Sequence, residues 1–287
     1  MFKANTIVQI VRTRKGLRTP AMSNHLLFTG PPGVGKTETG RAVAKTLCGL
    51  GVLPEPDVKE TSKEALAGQY VGEVETHTRD FLAGAIGATV FFDEFGDLLH
   101  GGYAGGDPIG QAIIGCIVPW MENNRDKAVF IAAGYAGACR KVIESNAGLQ
   151  GRFATTIAFE SYAPDMLLEI TASIIKHSDS TVAPGALQRV LLEPFTRFYN
   201  KYEVTAEGDL IRDIDKLNNG RFARNIVEKA TGIRNLRIMD RFGLDAIDIS
   251  DPSIGADIPD DAVTLLTEED LYTGLQQTIP PDFRTNV

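Results

Sequence analysis

The sequence predicts an α/β fold, with a parallel β-sheet flanked by helices and followed by a small, mostly helical domain. Three observations predict it. Short apolar and β-branched runs at residues 25–30, Thr89-Val90-Phe91-Phe92 and Ala128-Val129-Phe130-Ile131-Ala132 read as buried strands. Stretches of helical spacing separate these runs, as in an alternating parallel-sheet fold. Beyond Ser161-Tyr162-Ala163-Pro164-Asp165 the strand-like runs largely disappear, and Leu167, Ile170 and Ile174 repeat at helical spacing.

The elements follow in order. After the strand at 25–30 a helix runs from Lys36 to Leu50, ended by Gly49 and Gly51, with Val43, Leu47 and Leu50 on one face. A second strand falls at Val58–Thr61. The strand at Thr89–Phe92 is bounded by Gly87 and by acids, which suits a central position, and a further strand covers Thr155–Phe159. These elements make residues 1–162 the α/β core and 163–242 the helical domain. Residues 243–287, rich in Asp, Pro and Gly with weaker periodicity, form an extension.

Composition sets outer bounds. With 287 residues, 43% apolar and 23% charged, the chain has the make-up of a soluble globular protein. A net charge of -8 disfavours nonspecific nucleic-acid binding, and Arg12-Thr13-Arg14-Lys15 reads as a solvated stretch. Cys48, Cys116 and Cys139 are odd in number, without C-x-x-C spacing, and read as reduced thiols. The four histidines show no zinc-ligand spacing. The chain has no signal-peptide pattern and no apolar run of membrane-spanning length, so no membrane insertion and a cytoplasmic location are expected.

The chemistry is concentrated in Gly30-Pro31-Pro32-Gly33-Val34-Gly35-Lys36-Thr37, between the first strand and the first helix. Glycines admit positive φ and remove side chains, so backbone N–H groups can converge on phosphate oxygens. The helix that follows offers its unsatisfied N–H groups and positive dipole end to the same anion. In such a loop Lys36 reaches the β- and γ-phosphates and the Thr37 hydroxyl ligates Mg²⁺. Glu38 completes the nucleotide-binding stretch. The expected ligands are therefore a nucleotide and Mg²⁺. Asp93-Glu94 stands at the C-terminal end of the run Val90–Phe92, the end at which parallel sheets bind ligands. There Asp93 can hold Mg²⁺ through its water shell and Glu94 can orient an attacking water.

The arrangement GPPGVGKT, FFDE, Asn146-x-Gly148-Leu149-x-Gly151-Arg152-Phe153 and Asn219-Gly220-Arg221 resembles an AAA+ ATPase, a P-loop NTPase core followed by an α-helical lid. More narrowly it resembles the CbxX/CfqX branch, which includes the Rubisco activase CbbX and the EccA ATPases of type VII (ESX) secretion. The stretches "HLLFTGPPGVGKT", "LCGLGVL", "GQYVGE", "DPIGQAI", "MENNRD", "AAGY" and "NGRFARNIVEKA" carry it, over about residues 8–242. The strings "GLGVLPEP" and "NNGRFARN" point to the secretion ATPases, here as an ATPase core without their N-terminal helical repeat domain.

The resemblance implies a hexameric ring with ATP between subunits. Arg152 matches the arginine finger offered to the neighbouring subunit; Gln150 stands where members often carry a second arginine. Arg221 matches the sensor-2 arginine of the lid, with Arg224 as a backup one turn on. The polar sensor after the fourth strand aligns with Gly134–Tyr135. Tyr70, Val71 and Gly72 match the aromatic pore loop that grips a threaded polypeptide. Residues 100–110, with five glycines, are either a second pore-facing loop or a flexible connector. The implied function is an ATP-driven motor acting on protein clients of type VII secretion. A Rubisco activase-like remodeller and an ATP-switched assembly scaffold with low turnover are the alternatives.

Overall fold

The computed structural model describes residues 24–68, 70–99, 107–153, 155–206, 208–244 and 258–284, with short pieces before residue 24. The chain divides into two units. The first holds residues up to 31, 35–160 and 205–209; the second holds 32–34, 161–204 and the residues from 210 onward.

The first unit is built on five parallel strands: β1 (Leu26–Thr29), β2 (Val58–Thr61), β3 (Thr89–Phe92), β4 (Val129–Gly134) and β5 (Thr155–Ala158), in the spatial order β2-β3-β4-β1-β5. The sheet thus matches the parallel sheet expected from the sequence. Every residue of β1 and β3 is buried, as central strands covered on both faces require. The edge strands β2 and β5 carry the more polar sequences VKET and TTIA. Register places Leu26 beside Ile131 and Thr155, and Thr89 beside Val129 and Val58.

Helices α1 (Lys36–Gly49), α2 (Lys63–Leu66), α3 (Val71–Ala83), α4 (Pro108–Asn123) and α5 (Ala136–Ser145) surround this sheet. The period-2 alternation of the strands sorts their side chains between two cores. Leu26, Phe28, Phe91 and Ile131 pack with Leu47 of α1. Leu27, Val90, Phe92 and Phe130 pack with Val74 of α3, Ile113 and Ile117 of α4 and Val142 of α5. Within the second core, Phe95 meets Phe92 and Phe153 edge-on at 5.7 and 5.9 Å.

His25, immediately before β1, is a buried structural residue. Its Nε2 donates to the Met121 carbonyl at 3.1 Å and its Nδ1 accepts the Phe130 N–H at 3.0 Å, which fixes the neutral Nε2–H tautomer. Lys63 of α2 spans a second junction. Its ammonium donates to the Asp97 carbonyl at 3.0 Å and pairs with the buried Asp107 carboxylate. Asp107 also caps α4, accepting from Ile109 N and Gly110 N at 3.1 Å each. Burial opposes ionisation of Asp107, but Lys63 and the two amides together hold its carboxyl below the usual range.

The second unit contains α6 (Pro164–His177), β6 (Thr181–Val182), α7 (Ala186–Asn200), β7 (Tyr202–Val204), β8 (Leu210–Arg212), α8 (Asp213–Lys216), α9 (Gly220–Phe242), α10 (Asp260–Thr264), β9 (Leu265–Leu266) and α11 (Glu268–Thr278). Leu167, Ile175, Leu191, Phe195, Ile214, Phe222 and Ile226 are central to its core. Leu266, Leu271, Leu275 and Ile279 belong to the same core. They come from the stretch set apart in the sequence as a 243–287 extension. The β7–β8 hairpin was not read from the sequence, since β7 is only three residues long and every one of them is exposed. Asp270 closes α11 with a reciprocal capping box to Thr267 and accepts from Arg237 Nη2 at 2.8 Å.

Two stability predictions follow from these packings. Leu271, fully buried, leaves a cavity when truncated, so Leu271→Ala lowers the unfolding free energy by about 2–5 kcal/mol in a urea titration. A variant as stable as the parent would mean that α11 is not part of the core of the second unit. Burial holds the His25 pKa below its ordinary 6.5, opposed in part by the bond to Met121. The unfolded chain therefore takes up this proton first. The contribution is complete above about pH 6.5 and is lost as pH falls toward the folded value, at up to about 1.4 kcal/mol per pH unit. Urea midpoints at pH 7.5 and 5.5 should show this loss, and His25→Asn should flatten it.

Candidate functional site

The turn between β1 and α1 is defined by what it lacks. Gly30, Gly33 and Gly35 sit at φ 147°, 75° and 86°, backbone that L side chains rarely adopt. A Cβ on Gly30 would lie 2.2 Å from the Phe159 carbonyl oxygen, and one on Gly33 1.8 Å from the Asn218 carbonyl oxygen. Helix α1 begins at Lys36 with Gly35 as N-cap and no side-chain capping bond. No N-cap side chain covers the first turn of the helix, and the dipole favours an anion there. This bare, positively polarised turn fits a phosphate chain.

The strands hold the β1 end of the turn. The Gly30 N–H donates to the Gly134 carbonyl at 2.9 Å, and Phe159 N–H to the Thr29 carbonyl at 2.7 Å. Lys36 Nζ donates to the carbonyls of Gly30 and Pro31 at 2.8 and 2.7 Å, bracing the loop from inside. Thr37 follows in the first turn of α1. Glu38 is turned outward and pairs with Arg41, which also donates to Glu60 of β2.

Pro32, Gly33 and Val34 group with the helical unit. Their carbonyls accept from Asn219 Nδ2 at 3.1 Å, from Gly220 N–H at 3.1 Å and from the Tyr162 hydroxyl at 2.9 Å. Arg221, the next residue, is exposed, and its own N–H donates to the Asn218 carbonyl at 2.9 Å. Arg224 instead lines a surface cleft with Ser173, Ile174, His177 and Ser178.

Asp93 and Glu94 leave β3 at the same sheet end as the turn that follows β1, with β4 between the two strands. The Asp93 N–H continues the ladder to the Thr61 carbonyl at 2.9 Å, and Asp93 Oδ1 accepts the Glu94 N–H at 3.0 Å. Glu94 is exposed at φ 53°, a left-handed conformation unusual for a non-glycine residue. Among the described residues no cluster of three or more His, Cys, Asp or Glu is placed to hold a metal. The Thr37 hydroxyl and the Asp93 carboxylate are hard oxygen donors, which suit an ion bound chiefly through substrate phosphates and water.

Beyond β4, Gly134 carries no polar side chain, and Tyr135 serves as N-cap of α5. The Asp209 carboxylate accepts from Gly137 N–H in the first turn of that helix, at 2.8 and 3.0 Å. Burial pushes the thiol of Cys139 in the same helix up to about 12, leaving it protonated and inert. Arg152 binds the Glu122 carboxylate and the Gly148 carbonyl of its own chain. The Arg152 bond, opposed by desolvation, holds the Glu122 carboxyl below its usual range. Tyr70, at the N-cap of α3, is 70% exposed, and Gly72 follows in the helix. Gln69, the Val71 side chain and residues 100–106 lie outside the described residues.

Sequence reasoning did not single out Tyr162, Asn219, Glu122 or Lys63. Asn219 stood within the motif "NNGRFARN" without a task, and Tyr162 served only as a boundary marker. Nothing in sequence spacing pairs position 162 with position 34.

Comparison with known proteins agrees with the geometry. Residues 26–161 match the family model "ATPase family associated with various cellular activities (AAA)", and residues 163–279 match the model "AAA lid domain". The chain is 43% identical over 279 residues to "ESX-5 secretion system protein EccA5" of Mycobacterium marinum, covering 97% of this chain and 45% of that protein. It is 36% identical over 248 residues to "ESX-1 secretion system protein EccA1" of Mycobacterium leprae, covering 86% and 42%. The chain thus spans less than half the length of these curated relatives. Among solved structures, the crystal structure of the FIGL-1 AAA domain aligns with a TM-score of 0.55 at 18% identity, covering 96% of this chain and 77% of that one. The complex of that domain with ADP aligns at 0.56 and 17%, covering 96% and 78%. At such identities the likeness shows the fold alone. Sheet order, bare phosphate turn, family models and relatives agree: the chain belongs to the AAA family of ATPases, an AAA domain followed by an AAA lid.

Proposed function

We propose that the chain hydrolyses ATP with Mg²⁺ and uses the cycle to remodel or thread a protein client in an ESX-type secretion system, as part of a homohexameric ring in the cytoplasm. The observation that carries this reading is the uncapped, glycine-lined turn into α1 at the same sheet end as Asp93 and Glu94. The names of the secretion-system relatives support the setting.

In this reading the backbone amides of residues 33–37 and the Lys36 ammonium hold the phosphates. Thr37 and Asp93 hold Mg²⁺, which when bound neutralises charge on the phosphate oxygens. Glu94 orients the attacking water and accepts its proton. Arg221 reaches the phosphates from the lid. Arg152 is offered to a neighbour's nucleotide, exchanging Glu122 for phosphate, and Tyr70 grips the client. A nucleotide-switched scaffold is the second reading. It is favoured by the hold that Glu122 and Gly148 keep on Arg152 within its own chain.

Two substitutions test the motor. Lys36→Ala removes a cation from the phosphate loop and should weaken ADP binding by an order of magnitude or more, read by titration calorimetry, since hydrogen bonds to charged groups contribute about 1.5–3 kcal/mol. Unchanged affinity would place the nucleotide elsewhere. Glu94→Gln should retain ATP binding while turnover per subunit falls about 10²- to 10⁴-fold. Parental turnover in that variant would remove Glu94 from the mechanism, and negligible turnover in the parent under ring-forming conditions would favour the scaffold.

A further inference from the structure

We propose that Tyr162 and Asn219 are positioning residues for the nucleotide: together with the Gly220 amide they clamp the tip of the phosphate loop and turn its N–H groups toward the phosphates. The inference rests on the nucleotide reading above and adds the residues that preset the cradle.

The geometry begins with the peptide plane. In a trans peptide the carbonyl of one residue and the N–H of the next point in opposite directions. The loop contains five successive peptides whose carbonyls all have partners. The first two end in Pro31 and Pro32, which have no N–H to offer an anion. Their carbonyls, on Gly30 and Pro31, are the two that Lys36 braces. The next three peptides carry the carbonyls of Pro32, Gly33 and Val34, and all three are taken by the clamp. The opposite ends of those planes are the N–H groups of Gly33, Val34 and Gly35, which therefore point away from Tyr162 and Asn219. Gly33 and Gly35 are also left-handed, a conformation found where successive amides converge into an anion-binding concavity. The prolines brace and the glycines bind.

Asn219 serves the loop and the residues that hold it there, not its own helix. As N-cap of α9 its side chain would ordinarily accept from the first turn of the helix, yet it makes no such bond. Its fully buried carboxamide is committed elsewhere. Nδ2 donates to the Pro32 carbonyl and to Asp215 Oδ1 at 2.9 Å, and Oδ1 accepts the Tyr162 N–H at 3.0 Å. Asp215, itself fully buried, is held by Arg212 N–H at 2.8 Å. Asn218 and Asn219 both have positive φ, at 67° and 46°, an uncommon backbone kept where surrounding bonds over-determine it. Partial burial keeps the Tyr162 phenol above its ordinary value, so that it stays a donor to Val34.

The test is ADP affinity by calorimetry, without turnover, in the parent chain, Tyr162→Phe and Asn219→Ala. Tyr162→Phe deletes one hydroxyl and should raise the ADP Kd about 2- to 12-fold, the worth of one neutral hydrogen bond. Asn219→Ala should raise it further. Pyrophosphate, used as a competitor, should lose affinity in step with ADP, whereas AMP should be less affected. With ATP as substrate, KM should rise while kcat at saturation stays within about twofold of the parent, a split that general destabilisation would not produce. The clamp is refuted if Tyr162→Phe binds ADP as the parent does, or if AMP and ADP weaken equally. A parent chain that bound no ADP would sink the nucleotide reading itself, a different outcome from either. Should Asn219→Ala fail to fold, Tyr162→Phe still decides the question.

Discussion

An anion held by backbone needs backbone with nothing attached and nothing in the way, and this requirement organises the structure around residues 30–37. Side chains are absent at three positions of the turn, and two close approaches, to the carbonyls of Phe159 and Asn218, leave no room for them. Such a segment cannot hold its own shape, because glycine carries a large conformational entropy. The shape comes from what it is tied to. Strand β1 is hydrogen-bonded on both sides and fully buried, so the turn starts from a fixed edge.

The charged groups of the candidate site follow a common pattern. Lys36 and Arg152 are both engaged with oxygens of their own chain, carbonyls in one case and a carboxylate with a carbonyl in the other. Cations directed in this way are already ordered, and trading one oxygen partner for another costs less side-chain entropy than freezing a free side chain. Glu94 shows a different economy. Its left-handed backbone is a local strain of about 1–3 kcal/mol, sustained by the buried strand that precedes it.

Much of the first unit was legible because its signals are local. Buried strands announce themselves as unbroken runs such as "TVFF", and the phosphate turn as glycines between a strand and a helix. The place of Asp93 and Glu94 at a strand end was legible because the buried run before them is unbroken. What stayed hidden depends on tertiary partners. The hairpin at 202–212 rests on two three-residue strands, the first wholly exposed, with no buried run to announce it. The place of Leu271 and Leu275 in the lid core is set by α9 and α7 rather than by their own weak pattern. Tyr162 and Asn219 meet only after the chain has folded, and their hydrogen bonds are to carbonyls, which every residue possesses. A motif can mark Asn219 as notable, but only coordinates say what its carboxamide holds.

Lys63 has one further consequence. By joining the Asp97 carbonyl to the Asp107 carboxylate, it links the turn that follows β3 to the cap of α4. A carboxylate as buried as that of Asp107 is costly to leave without its cation. The seating of α4 beside the strand tip that bears Asp93 is thereby delegated to a third element, so that a change at position 63 would be felt at both places at once.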